Sequence, residues 1–223
     1  LDDASLDRGE CRLASAGSVG LKLYPFILDQ QQLQPGLTVS YRFACNAEVI
    51  AELLRGQHDL GIVTEAVRHP DLVCQAWHQE PLCLVVPADF SGAGLTELIA
   101  LGFIGYAEGD DPAAALLRAN FSDFRAMSQL PRQGFTSEVS RVLEAVARGL
   151  GFTVVSRVVL EASTRQRELK VLALASPAYE SLHLVMRAGE QVPRRYGRLL
   201  EGYREQRRLI HDGVDARPGR HQA

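Results

Sequence analysis

The sequence predicts an α/β fold built as two lobes, each an open, largely parallel sheet with helices on its faces. Three observations predict it. Short β-rich runs alternate with stretches of helical spacing from Cys11 onward, the pattern of parallel strands joined by crossover helices. The alternation breaks at Ser91-Gly92-Ala93-Gly94 and then restarts. Two long apolar runs, residues 81–87 and 182–186, are the expected crossovers between the lobes. The competing arrangement is one continuous doubly wound sheet.

Taken in order, Cys11, Leu13 and Ser15 alternate as a first strand. It opens through Ala16-Gly17-Ser18 into a helix carrying Leu21, Leu23, Phe26, Ile27 and Leu28. A strand that turns through Ser and Gly into a helix leaves free backbone N–H groups. With the helix dipole behind them, these suit a carboxylate or another anion. Gln34-Pro35-Gly36 marks a turn, and residues 37–43 alternate as a second strand. Asn46 reads as the N-cap of a helix bearing Val49, Ile50, Leu53 and Leu54, which Gly56 ends. Residues 59–64 form a third strand. In the second half, residues 102–106 predict a strand, and Asp111-Pro112 starts a helix through residue 121. A strand is expected within 125–135. Ser137 then caps a helix bearing Val139, Val142, Leu143 and Val146, ended by Gly149. Strands at 151–155 and 170–174, a short helix at 158–162 and a helix at 194–209 complete the pattern. Residues 1–10 and 212–223 read as polar tails. The lobes are then 11–87 with 182–211, and 88–181.

A chain of 223 residues buries roughly 70–75% of its unfolded surface and needs no disulfide or metal staple. No run approaches the ~20 apolar residues of a membrane span, and Leu1-Asp2-Asp3-Ala4 is no signal peptide. The expected localisation is cytoplasmic. A net charge of -3 gives no reason to expect a nucleic-acid surface. Cys11, Cys45, Cys74 and Cys83 form no C-x-x-C pair and read as free thiols, with Cys45 the one candidate for redox chemistry. His58, His69 and His78 fall in expected loops without a paired carboxylate motif, so no metal or other cofactor is expected. Ser18 sits in a loose small-x-Ser-x-small turn, but no acid and histidine follow it in a convincing order, so no enzyme is expected. The arginines 194, 195, 198, 204, 207 and 208 make the last helix basic, which reads as a solvated face.

The run from Glu48 to Val63, Glu-Val-Ile-Ala-Glu-Leu-Leu-Arg-Gly-Gln-His-Asp-Leu-Gly-Ile-Val, resembles the helix–Gly–x–x–Asp–Leu–strand signature of LysR-type transcriptional regulators, in their effector-binding domain. Leu13-Ala14-Ser15, Pro25, the run from Pro81 to Pro87 and the run from Val142 to Val155 support the resemblance, which covers about residues 10–210. Ser156 stands where that last run usually ends in proline. The resemblance implies two Rossmann-like subdomains joined by two crossover strands, as in type 2 periplasmic binding proteins. It implies a small-molecule effector, an organic acid or other small polar molecule, held in the cleft between them. It also implies a homodimer or tetramer that meets DNA only through an N-terminal winged helix-turn-helix, which this chain lacks. A free-standing solute-binding protein of the same two-lobe fold is the alternative.

Carried onto this sequence, the expected effector site comprises Ser15, Ala16 and Ser18 at the first turn, Asn46 at the second helix, Thr64 and Glu65 after the third strand, and Thr136 and Ser137 before the helix of the second lobe. Hydroxyls and amides there can donate to a carboxylate without a buried countercharge. Glu65 and Glu108 point the other way: negative charge in the cleft favours a cationic or neutral polyol effector.

Overall fold

The structure is a computed structural model and describes residues 8–215. Nine strands and seven helices occupy that span, together with two short 3₁₀ turns. The first lobe begins with β1 (Gly9–Ala16), α1 (Gly17–Leu33), β2 (Leu37–Ala44), α2 (Asn46–Leu54) and β3 (Leu60–Val63). β1 lies between β2 and β3 and is parallel to both, as right-handed β-α-β connections require. β4 (Leu72–Pro87) then runs for 16 residues. The second lobe follows with α3 (Leu95–Leu101), β5 (Phe103–Tyr106), α4 (Asp110–Asn120), β6 (Arg132–Thr136), α5 (Val139–Ala147), β7 (Thr153–Ser156), α6 (Arg157–Ala162) and β8 (Leu169–Val171). β9 (Tyr179–Arg187) returns to the first lobe, and α7 (Arg194–Asp215) packs there.

β4 explains how two lobes share one hydrogen-bonded path. Its first part pairs antiparallel with β9, from Leu72 opposite Arg187 to Pro81 opposite Tyr179, and β9 in turn pairs with β3. Its last part pairs antiparallel with β7 and β8 in the second lobe. The strand order β2-β1-β3-β9-β4-β7 is therefore unbroken, while the cores on either side are separate. β5 and β6 are parallel and join the second lobe through a bridge between Phe103 and Phe152.

The sequence reading places the crossover at 81–87 because Leu82 to Pro87 is buried on both faces, a continuous apolar run. Residues 72–80 are exposed at Val73, Gln75, Ala76 and Gln79 and carry Gln75, His78 and Gln79, so they form no continuous apolar run. Several boundaries also move. Gly9 and Glu10, expected in a tail, already pair with Leu37 and Thr38. Residues 212–215, also expected in a tail, continue α7; residues 1–7 and 216–223 lie outside the described span. The strand expected within 125–135 is confined to β6, preceded by a 3₁₀ turn at Met127–Gln129.

The first lobe buries Leu13, Leu23, Ile27, Tyr196 and Tyr203 between its sheet, α1 and α7, and Ala14, Val49, Leu53 and Val185 under α2. Gly61 permits that second layer: a Cβ there meets Leu53 Cδ1 at 2.6 Å and Val49 Cγ1 at 2.7 Å. Asp59, the acid of the signature run, ties three elements together. It accepts from Arg12 Nη2 at 2.5 Å and from the Tyr196 hydroxyl at 2.7 Å, and Arg187 lies 3.7 Å away. Burial pushes its carboxyl up, but those hydrogen bonds and cations outweigh it and hold the group below the usual range.

The last helix departs from the expected solvated face. Arg207 is 2% exposed, and its guanidinium forks onto both carboxyl oxygens of Glu80 on β4, at 2.9 and 3.0 Å, and reaches Glu161 at 2.6 Å. Arg195 donates to the Glu10 carbonyl, and Arg208 pairs with Glu205. The histidines also differ from expectation, each having a carboxylate neighbour: His58 with Glu52 at 2.8 Å, His69 with Asp71 at 3.9 Å, and His78, within β4, with Glu80 at 3.2 Å.

Candidate functional site

A cleft of about 450 Å³ opens between the lobes. Its walls are the start of α1, the β2–α2 junction and Thr64 from the first lobe, the turn after β5 and the start of α5 from the second, and Glu180 from the returning strand β9. This is where an open α/β sheet binds ligands, beyond the carboxyl ends of its strands.

Of the eight expected site residues, Ala16, Ser18, Thr64 and Ser137 line the cleft. Ser15 does not. It is fully buried, its hydroxyl accepts from the Tyr41 hydroxyl at 2.7 Å and donates to the Ala16 carbonyl at 3.0 Å, so it holds the strand end in place. Asn46 is buried behind the wall and is the first residue of α2, while Cys45 takes the cap position. Its amide donates to Thr64 Oγ1 at 2.9 Å and its Oδ1 accepts from the Thr64 N–H at 3.1 Å, clamping β3 to α2. Glu65 is exposed and outside the lining. Thr136 lies outside it too, accepting the Glu138 N–H at 3.1 Å. Glu138, not Ser137, is the N-cap of α5.

What the sequence reading underweighted is the acid. Glu48, Glu108, Glu138 and Glu180 all line the cleft, against one basic residue, Arg42, which is engaged with Glu52 at 3.4 Å. The helix starts that were expected to attract an anion already face carboxylates of this chain. At α2, the Asn46 N–H donates to Glu108 Oε1 at 2.8 Å across the lobes, and the Cys45 N–H donates to Glu48 Oε2 at 3.3 Å. At α1, Ser18 and Glu180 both line the cleft, and the hydroxyls of Ser18 and of Ser156, the cap residue of α6, favour the charged form of the Glu180 carboxyl. Glu108 reaches α2 from a left-handed backbone, φ 65°, a conformation that non-glycine residues adopt at a cost of order 1 kcal/mol.

These carboxyls are poorly compensated. Burial pushes Glu180 up to about 7; Ser156 and Ser18 oppose the shift, and the negative charges of Glu80 and Glu108 add to it. Glu80 lies directly opposite Glu180 in the β4–β9 ladder, and Arg207 and His78 lie against the Glu80 carboxyl. Glu108 is also raised, first by desolvation, against the Asn46 N–H and with the charges of Glu65 and Glu48. Burial drives the Tyr106 phenol, which also lines the cleft, strongly upward, and the charges of Glu180 and Glu108 add to it.

The remaining chemistry is sparse. No histidine lines the cleft beside Ser18, and among the described residues no three His, Cys, Asp or Glu side chains group as a metal site. All four cysteines are free; Cys11 and Cys83 are buried with thiols pushed up by desolvation, and Cys45 borders the cleft. No described helix is long and apolar enough to cross a membrane.

The sequence matches the LysR substrate binding domain over residues 4–208. The chain belongs to that family. Its architecture is accordingly that of LysR regulatory domains, two Rossmann-like subdomains joined by two crossover strands, as in type 2 periplasmic binding proteins. The HTH-type transcriptional regulator CysL of Bacillus subtilis (strain 168) is 26% identical over 168 residues, which are 74% of this chain and 56% of that protein. The chain thus spans about half the length of this curated relative. The regulatory domain of OxyR2 from Vibrio vulnificus, in a cysteine-to-serine variant, superposes with a TM-score of 0.73 at 18% identity, covering 92% of this chain and 98% of that one. Full-length CbnR in complex with its target DNA superposes with a TM-score of 0.69 at 20% identity, covering 91% of this chain and 73% of that one. The LysR substrate binding domain is an effector-binding regulatory module, and the inter-lobe cleft is lined by residues of both lobes.

Proposed function

We propose that this chain is the sensing part of a LysR-type transcriptional regulator. A small polar effector enters the cleft between the lobe of 11–87 with 182–211 and the lobe of 88–181. It shifts the packing of a homodimer or tetramer whose winged helix-turn-helix, N-terminal to the sensing part, holds DNA. The observation that carries this reading is the cleft itself: polar groups converge on it from α1, α2, Thr64 just after β3, α5 and β9, so a ligand there touches both lobes at once. A ligand moves an equilibrium only by binding one arrangement better than the other, and contacts to both lobes supply that difference.

The organic-acid expectation rested on helix starts open to the cleft, and Glu48, Glu108 and Glu180 now stand at two of those starts. Ser18, Thr64 and Ser137 remain as neutral hydrogen-bonding groups for an effector. The test is a thermal-shift panel of small amines, polyols, amino acids and carboxylates, with solution mass measured alongside. Saturation at ~100 times the dissociation constant stabilises by about 2.7 kcal/mol. A ligand whose shift is lost in Thr64→Val and which alters the mass or shape of an oligomer supports the sensor. Tight binding by a strict monomer favours the solute-binding reading.

A further inference from the structure

We infer that the cleft selects a small organic cation, an amine or guanidine, whose positive group is held among the Glu180, Glu108 and Glu48 carboxyls. The inference rests on the reading of the cleft as the effector site and names the chemistry that site accepts. Four carboxyls and one arginine line the cavity, and that arginine has a carboxylate of its own. An anion finds no vacant helix start at α2, because Glu108 and Glu48 accept its first N–H groups, and at α1 it meets Glu180 beside Ser18. A cation replaces the missing countercharge in one step. Every carboxyl it faces is then served, as Arg207 serves Glu80 on the neighbouring strand.

The proton linkage follows. Glu180 faces Glu80 from β4, Glu108 and the Tyr106 phenol from the β5 turn, and the hydroxyls of Ser18 and Ser156; the charges acting on it are all negative. With its carboxyl titrating at about 7, it is ionised above that pH and largely protonated below it. Cation binding displaces the remaining proton, so affinity rises with pH and levels off above about 8, whereas an anion gains affinity as pH falls.

The test uses three probes of one length: butane-1,4-diamine, butane-1,4-diol and succinate, titrated calorimetrically at matched ionic strength at pH 6 and pH 8.5. The diamine is expected to bind at pH 8.5 and to lose about tenfold in affinity at pH 6, one proton's worth per unit below the Glu180 pKa. Glu180→Gln should abolish that pH dependence, and Glu108→Gln should weaken binding about tenfold while leaving the pH dependence in place. Succinate or the diol binding in the diamine's stead, with loss in Thr64→Val, overturns the ligand class and leaves the cleft as the site. Diamine binding that ignores Glu180→Gln, Glu108→Gln and Thr64→Val overturns the site. No heat from the diamine at pH 8.5 overturns the cation reading outright.

Discussion

Replacing Glu180 with glutamine should stabilise this protein at alkaline pH and leave it nearly unchanged at acid pH. The folded carboxyl titrates at about 7, against an ordinary value of about 4.3 in an unfolded chain. Below the unfolded value both states are protonated and the group contributes nothing. As pH rises from there the unfolded chain ionises freely while the folded one resists, so stability falls by about 1.4 kcal/mol per unit until the folded carboxyl ionises too. The full difference is about 4 kcal/mol, and partial exposure of Glu180 brings it nearer 2–3. Glutamine keeps an oxygen for the Ser156 and Ser18 hydroxyls and removes the charge. For a domain of this length each kcal/mol moves the melting point by ~2–4 °C, so the variant should melt ~4–12 °C higher at pH 8.5 and within ~3 °C of the parent at pH 5. Calorimetric melts at five pH values between 4.5 and 9 trace the difference. A gain that does not change with pH, or a loss at pH 8.5, would falsify the claim that Glu180 is an uncompensated carboxyl.

Arg207→Met should cost about 3–5 kcal/mol in urea unfolding, because it strands the buried Glu80 charge; adding Glu80→Met should return much of the loss, and strict additivity of the two changes refutes the pairing. Burial pushes Glu80 up, but its hydrogen bonds from His78 and Arg207 outweigh this and hold it below the ordinary range. Its stabilisation is therefore complete above about pH 4.3 and lost on acidification below it; melting points between pH 6 and 3 should fall less steeply in the Glu80→Met/Arg207→Met double variant. Gly61→Ala should destabilise by about 1–3 kcal/mol, since its Cβ meets Leu53 and Val49 inside van der Waals contact; an unchanged denaturation midpoint refutes the close approach of α2 to β3. Asn46→Ala should cost about 1–3 kcal/mol by leaving the Thr64 N–H without its partner, and hydrogen exchange at Thr64 should quicken.

The lobes are legible in the sequence wherever one face of an element is buried, because burial writes a period. Val139, Val142, Leu143 and Val146 give α5 its stripe, and the buried run from Leu82 to Pro87 gives β4 its second half. The first half of β4 leaves no such trace. Its hydrogen bonds to β9 join residues about 100 positions apart, a pairing that no local pattern encodes. The site follows the same rule. Ser18, Thr64 and Ser137 stand at strand ends and helix starts, where topology alone directs them to the cleft. Asn46 stands at the expected place, but one residue inside the helix, so its side chain clamps Thr64 in place of capping. Glu108 was visible as a charge after a strand, whereas Glu180 is one acid in an ordinary alternating strand. Its meaning depends on Glu80 lying opposite it and on Arg207 forking onto Glu80. Arg207 itself is indistinguishable in sequence from the exposed arginines around it.

The energetics of switching fit this arrangement of charge. Moving a two-state equilibrium from 1:99 to 99:1 takes about 5.5 kcal/mol of differential binding. Hydrogen bonds to charged groups contribute about 1.5–3 kcal/mol each, so a ligand must make two or three of them in one arrangement and lose them in the other. A ligand held by one lobe alone keeps its contacts when the lobes part and shifts nothing. Here Glu48 belongs to α2, Glu108 to the turn after β5, and Glu180 to the strand that returns between the lobes. A cation among them gains its contacts only when the lobes are together. Until it binds, like charges face one another across the cleft, opposed by the Asn46–Glu108 hydrogen bond that spans it. The same carboxyls that set the ligand's sign therefore give its binding a direction, toward the closed cleft.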